Sequence, residues 1–428
     1  MRQRFLAILA ALTGFIAGSG AGISSAEAQA AEGQAPSAQV TSGQEKAWTD
    51  QWFSDVSFGA QIEGGVMGSS SHPASNLNFG QLLSPYADQA TLNQLTFTFT
   101  KPVDPIGGGY GLGMNLRMLY GSDARSYTIA GVSDRWINGR YQAMPVFANV
   151  AIHMPWFTNK GLDGQIGILT SPMGVETLDP STRAFYTLAY TTEYSTPFEH
   201  VGGMFQLHLD DHFDLQFGAD TGNQTSFGRG DNNGRPAGYI GVTGNNLADG
   251  HLSFTYLLRV GPENAVRSLG PRANGAMRYW NDLNGTWTFS KKWSVTAELN
   301  QLHDEGLRAD TWSAVVWGGW HIQPNLTVNA RAELYRDNTG SFVASFAENE
   351  GYAQAMLGNP TRSESAPATT YGALTLNTVW RPDVGHHVKL LQFRPELRFD
   401  RSLNSTRPFD DQHHMGRILF GADMTLGF

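Results

Sequence analysis

The chain has 428 residues, a net charge of -9, only 16% charged residues and no cysteine. The negative balance excludes nucleic acid as a natural partner, and the absence of cysteine excludes a disulfide-stapled secreted fold. An exported chain of this size then needs either a large core or a closed sheet, and its 49 glycines and 11% aromatics fit an all-β protein.

Arg2 and Arg4 precede an apolar run over 5–18 and the small-residue site Ala28-Gln29-Ala30. A positive start, a short apolar stretch and an A-x-A site predict a secretory signal peptide over 1–30. The run is too short for a spanning helix, which needs about 20 apolar residues. Residues 31–50 are polar and of low complexity, and they read as a flexible periplasmic lead-in.

From 51 to 428 the pattern changes to alternation. Leu95, Phe97 and Phe99 interleave with threonines, and Leu112, Met114, Leu116 and Met118 flank Gly113, Asn115 and Arg117. Later, Leu252, Phe254, Tyr256 and Leu258 alternate with polar residues, as do Leu326, Val328, Ala330, Ala332 and Leu334. A period of two marks strands with one apolar and one wet face. Short polar turns are expected near 101–109, 155–161, 210–212, 243–250, 290–291, 323–325 and 382–387. Longer connections are expected near 67–91, 121–142, 172–200, 220–235, 261–275, 303–310, 337–368 and 400–415.

Seven short and eight long connections in strict alternation join sixteen strands, within a range of fourteen to eighteen. The expected fold is a transmembrane antiparallel up-and-down β-barrel with short periplasmic turns and long extracellular loops. The wet faces carry mid-strand charges, as in Arg394-Pro395-Glu396-Leu397-Arg398. Such charges are costly in a dry core and cheap against a water-filled lumen. Tyr120, Trp287, Trp293, Trp312, Trp320 and Trp380 fall near strand ends, where interfacial girdles sit. The last segment, RILFGADMTLGF, alternates to the terminal Phe428 and reads as the strand that closes the barrel. A terminal aromatic on such a strand resembles the signal read by the barrel-assembly machinery.

The segment SPMGVETLDPSTRAFYTLAYTTEYSTPFEHVGG, 171–203, is the most distinctive in the chain. Its Pro172, Gly174, Glu176, Pro180, Phe185, Tyr186, Tyr190, Pro197, Phe198, His200 and Gly202 or Gly203 resemble the hallmark of the OmpL-like putative β-barrel porin family. The strand AQIEGGVMG at 60–68 is similar to that family too, while Arg183 and Leu188 depart from its pattern. The resemblance implies a channel-forming outer-membrane protein, with lipid, lipopolysaccharide, the assembly machinery and small hydrophilic solutes as partners. Sixteen-stranded porins are commonly trimers, so a homotrimer is an expected assembly. No enzyme activity and no cofactor is implied.

In sixteen-stranded porins the third long loop commonly folds inward, so 172–200 is the candidate constriction. Its polar set is Glu176, Asp179, Arg183, Tyr186, Tyr190, Glu193 and Tyr194. Strand-borne Arg117, Arg259, Arg331, Arg394, Arg398 and Arg417 are expected to face it, with Glu63, Glu298, Glu333, Glu396 and Asp423 as acidic lumen partners. Opposed charges in a pore filter ions and orient dipolar solutes. Metal readings are weaker. Asp210-Asp211-His212 with Asp214 falls where a tight turn is needed, and Asp410, Asp411, His413 and His414 fall in the last outer loop. His386-His387 lies at the opposite end of the barrel from His413-His414. The rival readings are a membrane-embedded lipid hydrolase and a surface adhesin, and no G-x-S-x-G elbow or HExxH helix favours the former.

Overall fold

The computed structural model describes residues 55–103, 109–343, 352–360, 366–385 and 388–428. The signal-peptide and lead-in segments and the His386-His387 pair lie outside the described residues.

Sixteen strands form one closed antiparallel sheet. They are β1 (Ser57–Ser69), β2 (Ala90–Lys101), β3 (Gly111–Gly121), β4 (Gln142–Met154), β5 (Leu162–Thr170), β6 (Glu199–His208), β7 (Phe213–Asp220) and β8 (Ala237–Asn246). The second half comprises β9 (Leu252–Pro262), β10 (Met277–Ser290), β11 (Trp293–Asp304), β12 (Ala309–Gln323), β13 (Leu326–Asp337), β14 (Thr369–Trp380), β15 (Leu390–Ser402) and β16 (Gly416–Gly427). Each strand pairs with its sequence neighbours, and β16 returns to β1 with Ile62 opposite Leu426 and Gly65 opposite Asp423. Closure removes the free edge, whose unpaired N–H and C=O groups lipid could not satisfy. All seven short and eight long connections fall where alternation places them.

Side chains alternate as the pleat demands. Leu374 and Leu376 point outward, while Thr375 and Asn377 between them are buried within the barrel. The outer surface also exposes Phe97, Leu112, Leu116, Ile166, Ile240, Leu283, Leu397 and Phe420. That is the apolar belt a bilayer-facing barrel requires. Trp287, Trp293, Trp320 and Trp380 ring the short-turn end, where Trp293 stacks on Trp320 at 5.3 Å. Trp312 and Tyr120 stand at the long-loop end. The inner face is the polar one: Glu63, Arg331, Arg394, Glu396, Arg398, Asp400 and Asp423 are all buried.

An apolar cluster also forms inside, towards the long-loop end. It joins Phe79, Leu82 and Leu83 of the first long connection to Leu188, Tyr190, Tyr194 and Phe198 of the third, and to Tyr335, Tyr371 and Phe409. Tyr190 lies 4.9 Å from Tyr371, ring centre to ring centre.

The 210–212 turn is built by its aspartate: Asp210 Oδ1 accepts from the backbone N–H groups of His212 (2.7 Å) and Phe213 (2.8 Å). Lys160 pairs with Asp211, and Asp214 turns instead to His208 at 2.7 Å. In the last outer loop Asp410 pairs with His414 at 2.6 Å, and Asp411 accepts from Ser75 N–H at 3.1 Å. Both acidic turns thus spend their oxygens on loop geometry.

Candidate functional site

The third long connection runs from β5 to β6 and contains one helical turn, Tyr190–Tyr194. Its 180–190 stretch has irregular backbone, and buried irregular backbone needs partners outside itself. Side chains from the inner face of β13–β15, with Arg381 just beyond β14, supply most of them, on both sides of the chain.

Carbonyls are met by cations and amides. Arg394 Nη1 donates to the carbonyls of Arg183 (2.8 Å), Pro180 (3.1 Å) and Phe185 (3.2 Å). Arg331 Nη1 reaches Thr187 O at 2.8 Å, and Arg398 Nη1 reaches Leu188 O at 3.0 Å. Gln392 serves Pro180 O at 2.9 Å, Asn377 serves Ala184 O at 2.6 Å, and Arg381 serves Ser181 O at 2.8 Å.

Backbone N–H groups are met by carboxylates. Glu396 accepts from Tyr186 (2.8 Å) and Thr187 (3.1 Å), and Glu333 accepts from Tyr190 (2.9 Å). Glu176, in the same connection, accepts from Ala189 N–H at 2.6 Å and from Trp317 Nε1 at 3.2 Å.

Ion pairs tie the two layers further. Arg117 pairs with Asp179 at 2.6 Å and Arg183 with Glu63 at 2.9 Å. Arg331 bridges Glu176 and Glu333, at 2.5 and 2.9 Å. Arg394 bridges Glu63 and Asp423, at 3.0 and 2.5 Å. Arg398 bridges Glu333 and Asp400, both at 2.8 Å. Arg331, Arg394 and Arg398 are at most 1% exposed, so each depends on this full set of partners for its charge to be tolerated.

Loop residues carry the electrostatic consequence. Burial alone would raise the Asp179 carboxyl, but Arg117 and the Ser181 contacts outweigh it and hold the group below the usual carboxylate range. Burial would lower Arg183, yet Glu63, Asp123 and Asp423 reverse that and raise it. Glu193 is pushed well above the ordinary carboxyl value, by burial first.

The arginines divide into three groups. Arg117, Arg331, Arg394 and Arg398 meet the third connection directly. Arg417 pairs with Asp400, one step behind Tyr190, whose hydroxyl donates to Asp400 at 3.1 Å. Arg259 corrects the expectation that it faces this loop: it pairs with Asp220 (2.5 Å) and Glu263 (2.8 Å) and stacks on Tyr239. Alternation shows that Arg259 points inward, but β9 stands four to six strands away from β13–β15 around the ring.

Several contributors escaped the sequence reading. Gln392, Asn377, Trp317 and Asp400 all alternate onto wet faces, and that periodicity was their available signal. Leu82 of the first long connection donates its N–H to Glu193 at 2.9 Å, a contact between two loops that no local pattern encodes. Gly65 has a steric role: a Cβ there would lie 2.7 Å from the Tyr186 ring and 2.8 Å from Asp423 Cβ.

A closed sixteen-stranded antiparallel barrel with an apolar exterior and a polar, charge-laced interior defines the class of porin-like membrane barrels. The chain belongs to the family described as Putative beta-barrel porin-2, OmpL-like, whose model matches residues 55–428. Solved structures agree on the fold. OprB of Pseudomonas putida matches with a TM-score of 0.53 and 13% identity, over 89% of this chain and 96% of that one. The outer-membrane channel DcaP of Acinetobacter baumannii matches with a TM-score of 0.52 and 12% identity, over 87% and 97%. OmpT of Vibrio cholerae, in a trimer form, matches with a TM-score of 0.51 and 9% identity, over 87% and 99%. Comparison with curated protein sequences gives no significant match.

Proposed function

We propose that the protein is an outer-membrane porin whose third loop folds into the barrel and narrows a water-filled path for passive diffusion of small hydrophilic solutes. The observation that carries this reading is the clamp on 180–190, where strand side chains of β13–β15 bond loop carbonyls and N–H groups alike. A loop held that way is a fixed partition of the lumen. Glu176, Asp179, Arg183, Tyr186, Tyr190 and Glu193 form its body, and Arg117, Arg331, Arg394, Glu396 and Arg398 anchor it.

Beside the loop, towards β4–β9, lies a cavity of about 280 Å³ bordered by Thr177, Thr192, Thr196, Gln165, Gln206 and Gln216 among others. Hydroxyl and amide linings suit hydrated solutes, and selection by size and charge needs no energy source. Lipid and lipopolysaccharide surround such a barrel, Phe428 serves the assembly machinery as its terminal signal, and a homotrimer is the natural assembly.

Single-channel recording of the detergent-refolded protein in a planar bilayer tests this. Discrete, stable steps are expected. Because the chain has no cysteine, Thr177→Cys provides a unique thiol beside the cavity, and a bulky thiol reagent should lower its conductance. A folded barrel that gives no steps, or one whose Thr177→Cys labelling leaves conductance unchanged, would overturn the reading.

A further inference from the structure

Charge is divided unevenly around the lumen. On the inner face of β12–β16 and β1–β3 the arginines are consumed by the loop clamp and by carboxylates beside them. The inner face of β4–β11 is different. It carries Asp163, Asp214, Asp220, Asp282 and Asp304 against two arginines, Arg259 and Arg278, and the imidazole of His208.

Those two arginines are committed at the long-loop end. Arg259 binds Asp220 through both terminal nitrogens, at 2.5 and 2.9 Å, and Arg278 Nε meets Asp304 at 2.5 Å. Among the described residues no lysine or arginine forms an ion pair with Asp163, Asp214, Asp282 or Glu298. Asp163 and Asp214 share the imidazole of His208, whose Nε2 lies 3.0 Å from Asp163 and Nδ1 2.7 Å from Asp214. Carboxylates only accept hydrogen bonds, so two such contacts make His208 a double donor, an imidazolium. His208 thus sets one positive charge against two carboxylates. The neighbouring His153 contacts Asp163 at 2.6 Å.

The cavity beside the loop has the same sign. Its charged lining is Asp163, Glu176 and Glu199, and no described arginine, lysine or histidine borders it. Glu176 is neutralised by Arg331. The Asp163 side chain stays 50% exposed at the short-turn mouth, where a permeating ion would meet it in water.

We infer that the conducting path runs along the β4–β11 side of the third loop and favours small cations and uncharged polar solutes over anions, with Asp163 and Asp214 as the selectivity-determining carboxylates. This rests on the porin reading above. The arginines, though more conspicuous in sequence, are structural: their fields are cancelled within a few ångströms by carboxylates and loop carbonyls. An excess of carboxylates along a narrow aqueous path between low-dielectric walls focuses a negative potential on that path.

The test is the reversal potential of the refolded full barrel under a potassium chloride gradient. Potassium permeability severalfold above chloride is expected for the unaltered protein. The Asp163→Asn/Asp214→Asn double variant should bring the ratio towards unity, while Asp310→Asn, in a rim pair with His303, should keep it. Conducting channels of the unaltered protein that prefer chloride, or show no preference, would overturn the inference and leave the porin reading intact. So would a folded double variant with an unchanged ratio. A folded barrel without conductance would remove the porin reading, and this inference with it.

Discussion

Arg394→Met offers the sharpest test of the clamp. The guanidinium is fully buried and holds three loop carbonyls, Glu63 and Asp423 at once. Methionine keeps much of the volume and removes every donor. Glu63 retains Arg183, but Asp423 forms no other ion pair among the described residues. Leaving a buried carboxylate without its cation costs about 3–5 kcal/mol. Because β14, β15 and β16 keep their backbone ladder, that cost should fall on the loop's attachment. At a tenfold change per roughly 1.4 kcal/mol, a weakening of about 3 kcal/mol raises the detached population by about two orders of magnitude.

Two assays read this. Single-channel records should show frequent excursions to a larger conductance, and limited proteolysis should cut within 172–198 where the parent protein resists. The Arg394→Met/Asp423→Asn double variant should recover part of the loss, since the stranded charge is gone. A variant with parental conductance, noise and protease resistance would refute the idea that these hydrogen bonds hold the loop.

Three further outcomes follow from other contacts. Gly65→Leu should unseat Tyr186 without altering charge, because even a Cβ would sit 2.7 Å from its ring; faster proteolysis of 172–198 in a still heat-modifiable barrel is the expected result, and parental resistance would contradict it. Glu193 has a folded-state pKa raised well above its ordinary value of 4.5 by burial, so the protonated form is the one the fold favours. Its contribution to stability is largest in acid and declines as pH rises from that value until the folded group ionises. Glu193→Gln, whose amide oxygen can still accept from Leu82 N–H, should flatten this decline and raise the heat-modification midpoint at neutral pH; an unchanged pH profile would count against it. Removal of Phe428, whose N–H donates to Ala60 O at 2.9 Å, should lower the assembled fraction in cells more than refolding yield in detergent, and equal effects would argue against a signalling role.

Sequence and tertiary structure determined different things here, and the residues show where the line falls. Period-two alternation assigned Arg394, Glu396 and Arg398 to the wet face and Leu397 and Phe393 to the apolar one, because a strand offers only two directions. Turn chemistry such as that of Asp210 and the regular exchange of short and long connections then led to sixteen strands. Both are local properties, written within a few residues of where they act.

What lies across the lumen is not local. Alternation treats Arg259 and Arg331 alike, yet closure of the sheet puts one against Asp220 and the other against the third loop. Likewise Leu82 meets Glu193 more than a hundred residues away in the chain, and Gly65 makes room for Tyr186. Only the closed barrel brings these groups together, since the curvature that decides which wall faces which loop belongs to the whole sheet and to no single strand.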